Sequence, residues 1–195
     1  KVPAMAFVDH LFPTAQRVGA INAMRRNADG SWTGDMFDGK GLVRALREHD
    51  VDPAGAGVML LGAGGTGSAI ADAVAEAGAA SIDIFDVDEA RAHALAQNIG
   101  RYHATDVAVT RSPAAGRRIV INATPLGMAP GDPPPMQLVR GCTPPVVVDV
   151  AIAPGGTRFL REAKAAGCLT IEGQAMVRAQ IREFLQFFAD GRQET

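Results

Sequence analysis

The run Leu61-Gly62-Ala63-Gly64-Gly65-Thr66-Gly67-Ser68 constrains the fold more than any other stretch of the chain. It follows a short apolar segment, Val58 to Leu61, and precedes a helical one, Ser68 to Ala77. Glycines at this spacing between a strand and a helix form a dinucleotide-binding fingerprint, and each has a physical task. Gly62 permits the tight turn. Gly64 lets a pyrophosphate approach the backbone, and Gly67 lets helix and strand pack closely. The start of the helix adds free N–H groups and a positive dipole end for the phosphates. Glycines also serve ordinary turns, and here the flanking strand and helix favour nucleotide binding. Gly62, Ala63, Gly64, Gly65, Thr66 and Gly67 are therefore the candidate cofactor loop.

Strand-like and helical segments alternate from Gly57 onward. Ile82–Phe85 reads as a strand, followed by a helix from Glu89 to Ile99 for which Asp88 is a candidate cap. Further strand candidates are Val107–Val109, Ile119–Ile121, Val146–Val150 and Cys168–Ile171. Thr157–Ala166 and Met176–Phe188 read as helices. This order predicts an α/β protein with a Rossmann-type, doubly wound parallel sheet covered on both faces. The pattern differs before about residue 50. Residues 5–18 read as a helix interrupted by Pro13, residues 19–36 as a hairpin turning at Asn27–Gly30, and residues 38–49 as a helix with Leu42, Val43 and Leu46 on one face.

Composition narrows the function. Hydrophobic residues at 47% and charged residues at 21% suit a globular domain. A net charge of −2 lacks the basic excess of a nucleic-acid binder. No apolar run approaches the roughly 20 residues that span a bilayer, so neither nucleic acid nor membrane is an expected partner. Two cysteines, Cys142 and Cys168, without C-x-x-C spacing argue against a disulfide framework or a metal site, and both read as inert. His10, His49, His93 and His103 read as surface residues. The fingerprint also calls for an acid about 20 residues downstream, at the end of the second strand, and Asp86 stands there. Its carboxylate would accept hydrogen bonds from the ribose hydroxyls and repel a 2′-phosphate. Val87 follows and Arg91 lies one helical turn on, so NAD is expected over NADP. The alternative is that Asp86 or Asp88 only caps the helix.

Four segments, in this order around the fingerprint, resemble the shikimate dehydrogenase family, with its quinate/shikimate branch. They are Val18-Gly19-Ala20-Ile21-Asn22-Ala23, Gly34-Asp35-Met36-Phe37-Asp38-Gly39-Lys40-Gly41, Asn122-Ala123-Thr124-Pro125-Leu126-Gly127-Met128 and Gly173-Gln174-Ala175-Met176-Val177-Arg178-Ala179-Gln180. The resemblance implies the end of a substrate-binding domain over residues 1–50, a dinucleotide domain over 51–172, and a C-terminal helix over 173–195 that returns to the first. It implies that several tens of residues precede Lys1. It also implies a cytoplasmic oxidoreductase that interconverts a cyclic secondary alcohol and ketone with NAD or NADP. The substrate would be a small cyclic hydroxy acid, and a homodimer is compatible with it. Asn22, Asp38 and Gln180 match substrate-binding positions, and Asp38 also matches the aspartate of the catalytic lysine–aspartate pair. Asp86, Val87 and Arg91 match the ribose-reading loop. Asn122, Ala123, Thr124, Val150 and Gly173 match positions beside the nicotinamide. Read from the residues alone, Asn22 could instead hold the hairpin, Asp38 cap a helix, and Gln180 lie on an exposed face.

The chain departs from the family where chemistry should be. Register on Pro3 places Met5 at the family's lysine. Met36 and Phe37 replace an asparagine and a threonine, and Ile152 replaces a tyrosine. The substrate half therefore reads as more apolar than the family's. Among the three lysines, Lys40 is the first substitute, and Lys1 lies too close to the end of the sequence to place. Two functions follow from this: a dehydrogenase, or a catalytically impaired NAD-binding sensor of the same family.

Overall fold

The apolar runs become two sheets. The computed structural model describes residues 1–112, 117–129, 131–138 and 145–190. In the smaller sheet, β2 (Ala23–Arg26) pairs antiparallel with β3 (Trp32–Asp35), and β1 (His10–Leu11) adds to β3 in parallel, giving the order β1-β3-β2. The predicted hairpin is present, although its first strand begins at Ala23 rather than Ala20. The predicted helix before it is divided. Pro3–Phe7 forms a turn of 3₁₀ helix, and Pro13 opens α1 (Pro13–Val18). Proline lacks only an N–H that the first helical turn leaves unpaired anyway, so it starts a helix as readily as it breaks one.

The larger sheet is parallel throughout. It contains β4 (Gly57–Leu61), β5 (Ser81–Phe85), β6 (Asp106–Val109), β7 (Ile119–Asn122), β8 (Val146–Asp149) and β9 (Leu169–Glu172), in the order β6-β5-β4-β7-β8-β9. The helices are α2 (Asp38–Glu48), α3 (Gly65–Glu76), α4 (Glu89–Tyr102), α5 (Arg158–Ala165) and α6 (Gly173–Asp190). Alternate residues of each strand serve different cores. Val58, Leu60, Ile119, Ile121, Val146 and Val148 join the core that includes Ile70, Val74, Leu95 and Leu42. Met59, Leu61, Val120 and Val147 join the one built on Phe159, Leu160 and Ala163. Both faces are thus covered, as continuous apolar strands require.

Chain order reverses between β4 and β7, and in sheets of this kind the ligand crevice lies at the carboxyl ends of the two strands flanking that point. The elements that precede β4 converge on it through α2. That helix lies against α3 on one side and α6 on the other, and glycine is what permits the approach. A Cβ at Gly39 would stand 2.0 Å from the Ala69 carbonyl oxygen, and one at Gly41 would stand 2.8 Å from that of Met176.

Candidate active site

The glycine loop sits at the crevice. Gly62 has φ +98°, and a Cβ there would press on the backbone of Ala123 and Thr124 at 3.0 Å. At Gly67 a Cβ would lie 2.0 Å from the Gly62 carbonyl oxygen, so helix α3 touches the end of β4. A Cβ at Gly64 would meet nothing within 4 Å. The loop is therefore packed at Gly62 and Gly67 and open at Gly64, and the first N–H groups of α3 have no carbonyl partner within the helix. That is a seat for a pyrophosphate, and a dinucleotide fits the residues present.

The loop is tied to the ribose-reading segment. Asp86 accepts the Ala63 N–H at 2.7 Å through one oxygen and the Asp88 N–H at 2.9 Å through the other. Asp88 caps α4, accepting from the N–H groups of Ala90 and Arg91, and its carboxylate holds the Arg91 guanidinium at 3.0 Å. Asp88 is therefore the cap, and Asp86 orders the phosphate loop. Val87 is 92% exposed beside them. On the other side of the crevice, Asn122 is fully buried and spends all its hydrogen-bonding capacity internally. Its amide donates to the Leu126 carbonyl and to Asp149, and its oxygen accepts from the Thr124 N–H and hydroxyl. Its side chain shapes the loop that carries Ala123 and Thr124. Asp149 also accepts from the Ala151 N–H and the Thr157 hydroxyl, and burial pushes its carboxyl above the usual carboxylate range. Val150 is half-buried, and Gly173 packs so closely that a Cβ would lie 2.4 Å from the Val150 carbonyl oxygen.

Asp38 opens α2 and is 3% exposed. Its Oδ1 accepts from the Asn22 amide at 2.7 Å, and the same amide donates to Gln180 Oε1 at 3.2 Å. Asn22 is fixed in turn, because its oxygen accepts the Phe37 N–H at 3.0 Å. Residues 22, 38 and 180, from a loop, α2 and α6, thus form one hydrogen-bonded group. Gln180 is buried, not on an exposed face.

The lysine beside this group is Lys1. Its ammonium bonds and ion-pairs with Asp38 Oδ2, and also donates to the Thr66 hydroxyl at 2.7 Å. The Met5 register is corrected accordingly. Met5 lies at the 3₁₀ turn and packs against the cluster of Ala15, Val18, Ala20, Ile21, Met36 and Ala69. Lys40 instead extends over the Phe37 ring, 5.8 Å from its centroid. Two of the apolar substitutions pack away from the crevice, while Ile152 lines a small cavity with Gly173 and Gln174. Met36 is fully buried in that cluster, and Phe37 is buried against Phe184 and Phe187. Ile152 is exposed.

Sequence reasoning also missed Asp72. It is 2% exposed in α3 and takes a bidentate Arg17 guanidinium at 3.1 and 2.9 Å, with His103 Nε2 at 2.8 Å. Three residues from separate helical segments left no local pattern to read. His103 is thereby corrected from surface to largely buried, while His10, His49 and His93 are exposed. Cys168 is buried, which pushes its thiol up; Cys142 lies outside the described residues. Among the described residues no cluster of His, Cys, Asp and Glu could hold a metal, and no helix is long and apolar enough to cross a membrane.

No family model matches the chain. It is 34% identical over 190 residues to the shikimate dehydrogenase (NADP(+)) of Rhodospirillum rubrum, covering 93% of this chain and 67% of that protein. It is 32% identical over 196 residues to the quinate/shikimate dehydrogenase (NAD(+)) of Corynebacterium efficiens, covering 96% and 68%. The chain belongs to the shikimate dehydrogenase family. The family fold extends to the ligand-free 5-ketofructose reductase of Gluconobacter sp. strain CHM43, at 35% identity and a TM-score of 0.79 over 92% of this chain and 66% of that one. The chain spans roughly two thirds of the length of these family members, and 63% of some others.

Proposed function

We propose that this chain carries the catalytic pair and dinucleotide seat of an NAD-preferring dehydrogenase. Its reaction is the reversible oxidation of a ring hydroxyl on a shikimate- or quinate-type acid. The observation that carries the reading is the meeting of Lys1, Asp38, Asn22 and Gln180 beside the glycine loop.

Oxidation of a secondary alcohol releases a hydride and a proton. The nicotinamide ring of a bound dinucleotide supplies the hydride acceptor. Lys1 as the free amine accepts the hydroxyl proton; as ammonium it returns the proton in the reverse direction and stabilises the developing alkoxide. Asp38, itself buried, holds that ammonium in place. Asn22 orients Asp38, Gln180 holds the Asn22 amide, and both stand ready for substrate hydroxyls. The impaired-sensor alternative rested on Met5, Phe37 and Ile152; Lys1 against Asp38 removes the first ground, and the packing of Phe37 against Phe184 and Phe187 removes the second.

Preference for NAD has its own support. No cation stands at Val87, Asp86 presents a carboxylate at the end of β5, and Arg91 is already paired with Asp88. A 2′-phosphate next to unpaired carboxylate charge should lose on the order of 1–3 kcal/mol, or roughly five-fold to a hundred-fold in affinity. Calorimetric titration should show NAD binding more tightly than NADP by that margin; equal or tighter NADP binding would remove the preference. Most of the relatives are named for NADP, that of Rhodospirillum rubrum among them, and that of Corynebacterium efficiens is named for NAD. Turnover assays with shikimate and with quinate, each with NAD and NADP, test the substrate class. Inactivity of the intact protein on both acids with either cofactor would refute it.

A further inference from the structure

The contact between the glycine loop and the lysine–aspartate pair is made by a side chain, and that side chain is Thr66. It lies in the first turn of α3, inside the loop that seats the pyrophosphate. Its hydroxyl accepts a hydrogen bond from Lys1 Nζ at 2.7 Å and donates one to Asp38 Oδ2 at 3.0 Å. A hydroxyl has one proton and two lone pairs, and an ammonium cannot accept, so these polarities are the ones available. The loop is held against the segment carrying the lysine at the next residue too: a Cβ at Gly65 would lie 3.2 Å from Ala20 Cβ and 3.4 Å from Lys1 Cβ.

We infer that Thr66 is a positioning residue for the reaction: its hydroxyl fastens the Lys1–Asp38 pair to the dinucleotide loop, so that one residue faces the cofactor with its N–H and the proton-transfer pair with its side chain. This rests on the roles proposed for Lys1 and Asp38. The long Lys1 side chain is partly exposed, at 37%, and has many rotamers. Asp38 alone fixes one direction of the ammonium, and a second acceptor on the loop fixes another. Seating a dinucleotide immobilises the loop and with it the lysine.

The test compares Thr66→Val, which keeps the shape and removes the hydroxyl, with Thr66→Ser, which keeps the hydroxyl. In Thr66→Val, kcat should fall about ten-fold, the scale of a lost hydrogen bond to a charged group. The Kd for NAD should stay within a factor of about three, because backbone N–H groups make that contact. Thr66→Ser should recover most of the turnover. Unchanged kcat in Thr66→Val, or a loss of kcat matched by an equal loss of NAD affinity, overturns the inference. Lys1→Met separates the two levels. If it too is neutral, the proposed roles themselves fail; if it abolishes turnover while Thr66→Val does not, only the role of Thr66 fails.

A second measurement needs no turnover. In protein labelled with 15N at lysine Nζ, the Lys1 ammonium signal is assigned as the one lost in Lys1→Met. The Lys1 ammonium should exchange slowly enough to be seen in the wild type and in Thr66→Ser, and should broaden in Thr66→Val. A Lys1 signal that is the same in all three proteins, or absent from the wild type, overturns the inference.

Discussion

Gly64 and Gly67, three residues apart in the loop, do opposite jobs, and substitution should separate them. Gly64 is backed by open space, so Gly64→Val leaves the fold intact and fills the place of the pyrophosphate. Circular dichroism should be unchanged while NAD affinity falls about a hundred-fold or more, the loss of several charged hydrogen bonds. Gly67 faces the Gly62 carbonyl oxygen, so Gly67→Ala should already lower the melting temperature. Asp35 gives a pH signature at the same scale. Burial outweighs its hydrogen bond from the Met36 N–H and the nearby Lys40 charge, and holds its carboxyl above the ordinary range. A raised carboxyl binds its proton more tightly in the folded than in the unfolded chain. Its contribution to stability is therefore complete below the ordinary aspartate value of about 4 and is lost as pH rises through the folded value. Asp35→Asn, which keeps an acceptor for Met36, should flatten that loss. Denaturant titrations showing the same fall in stability with pH in both proteins would count against it. At this scale the sequence was legible wherever one residue did a local task, as at the loop glycines and the Asp88 cap. It misled at Met5, because register was taken from Pro3, while the chain turns through 3₁₀ geometry there and presents Lys1.

Among the elements, the parallel sheet was readable because buried parallel strands are continuous apolar runs, as at Val58–Leu61 and Val146–Asp149. The small sheet was displaced by a few residues, since four-residue strands carry too short a pattern to fix their ends. The contacts between elements were not legible. Arg17 of α1 reaches Asp72 of α3 across 55 positions, and His103 at the end of α4 reaches it across 31. The Asn98 amide also donates to the Arg17 carbonyl at 2.6 Å. Together they fasten α1, and the segment leading from it to Asn22, onto the dinucleotide-binding helices. Asp72→Ala would leave the partly buried Arg17 guanidinium without its carboxylate, at a cost of about 3 kcal/mol. Denaturant unfolding should show that loss, and Arg17→Met paired with Asp72→Leu should recover part of it. A cost below about 0.5 kcal/mol, typical of an exposed pair, would show that the tether carries little.

In the whole molecule, the two sheets meet along α2, and that seam gathers the residues proposed for proton transfer. Asp38 starts the helix, its glycines admit α3 and α6, α6 delivers Gln180, and α3 delivers Thr66. The Gly-x-Gly-x-x-Gly spacing of the cofactor loop announced itself in sequence; the cluster opposite it, drawn from residues 1, 22, 38, 66 and 180, was visible only as separate family-like segments. The most direct measurement of the account is turnover of shikimate or quinate with NAD by Lys1→Met, set beside Asp38→Asn and the double variant. Each single change should lower kcat by about 10²–10⁴, the usual worth of general acid–base help. The double variant should lose little more than either, because the two groups act as a unit. NAD binding should be unchanged in all three. Wild-type turnover retained by Lys1→Met, or losses that multiply in the double variant, would contradict the assignment of proton transfer to this pair.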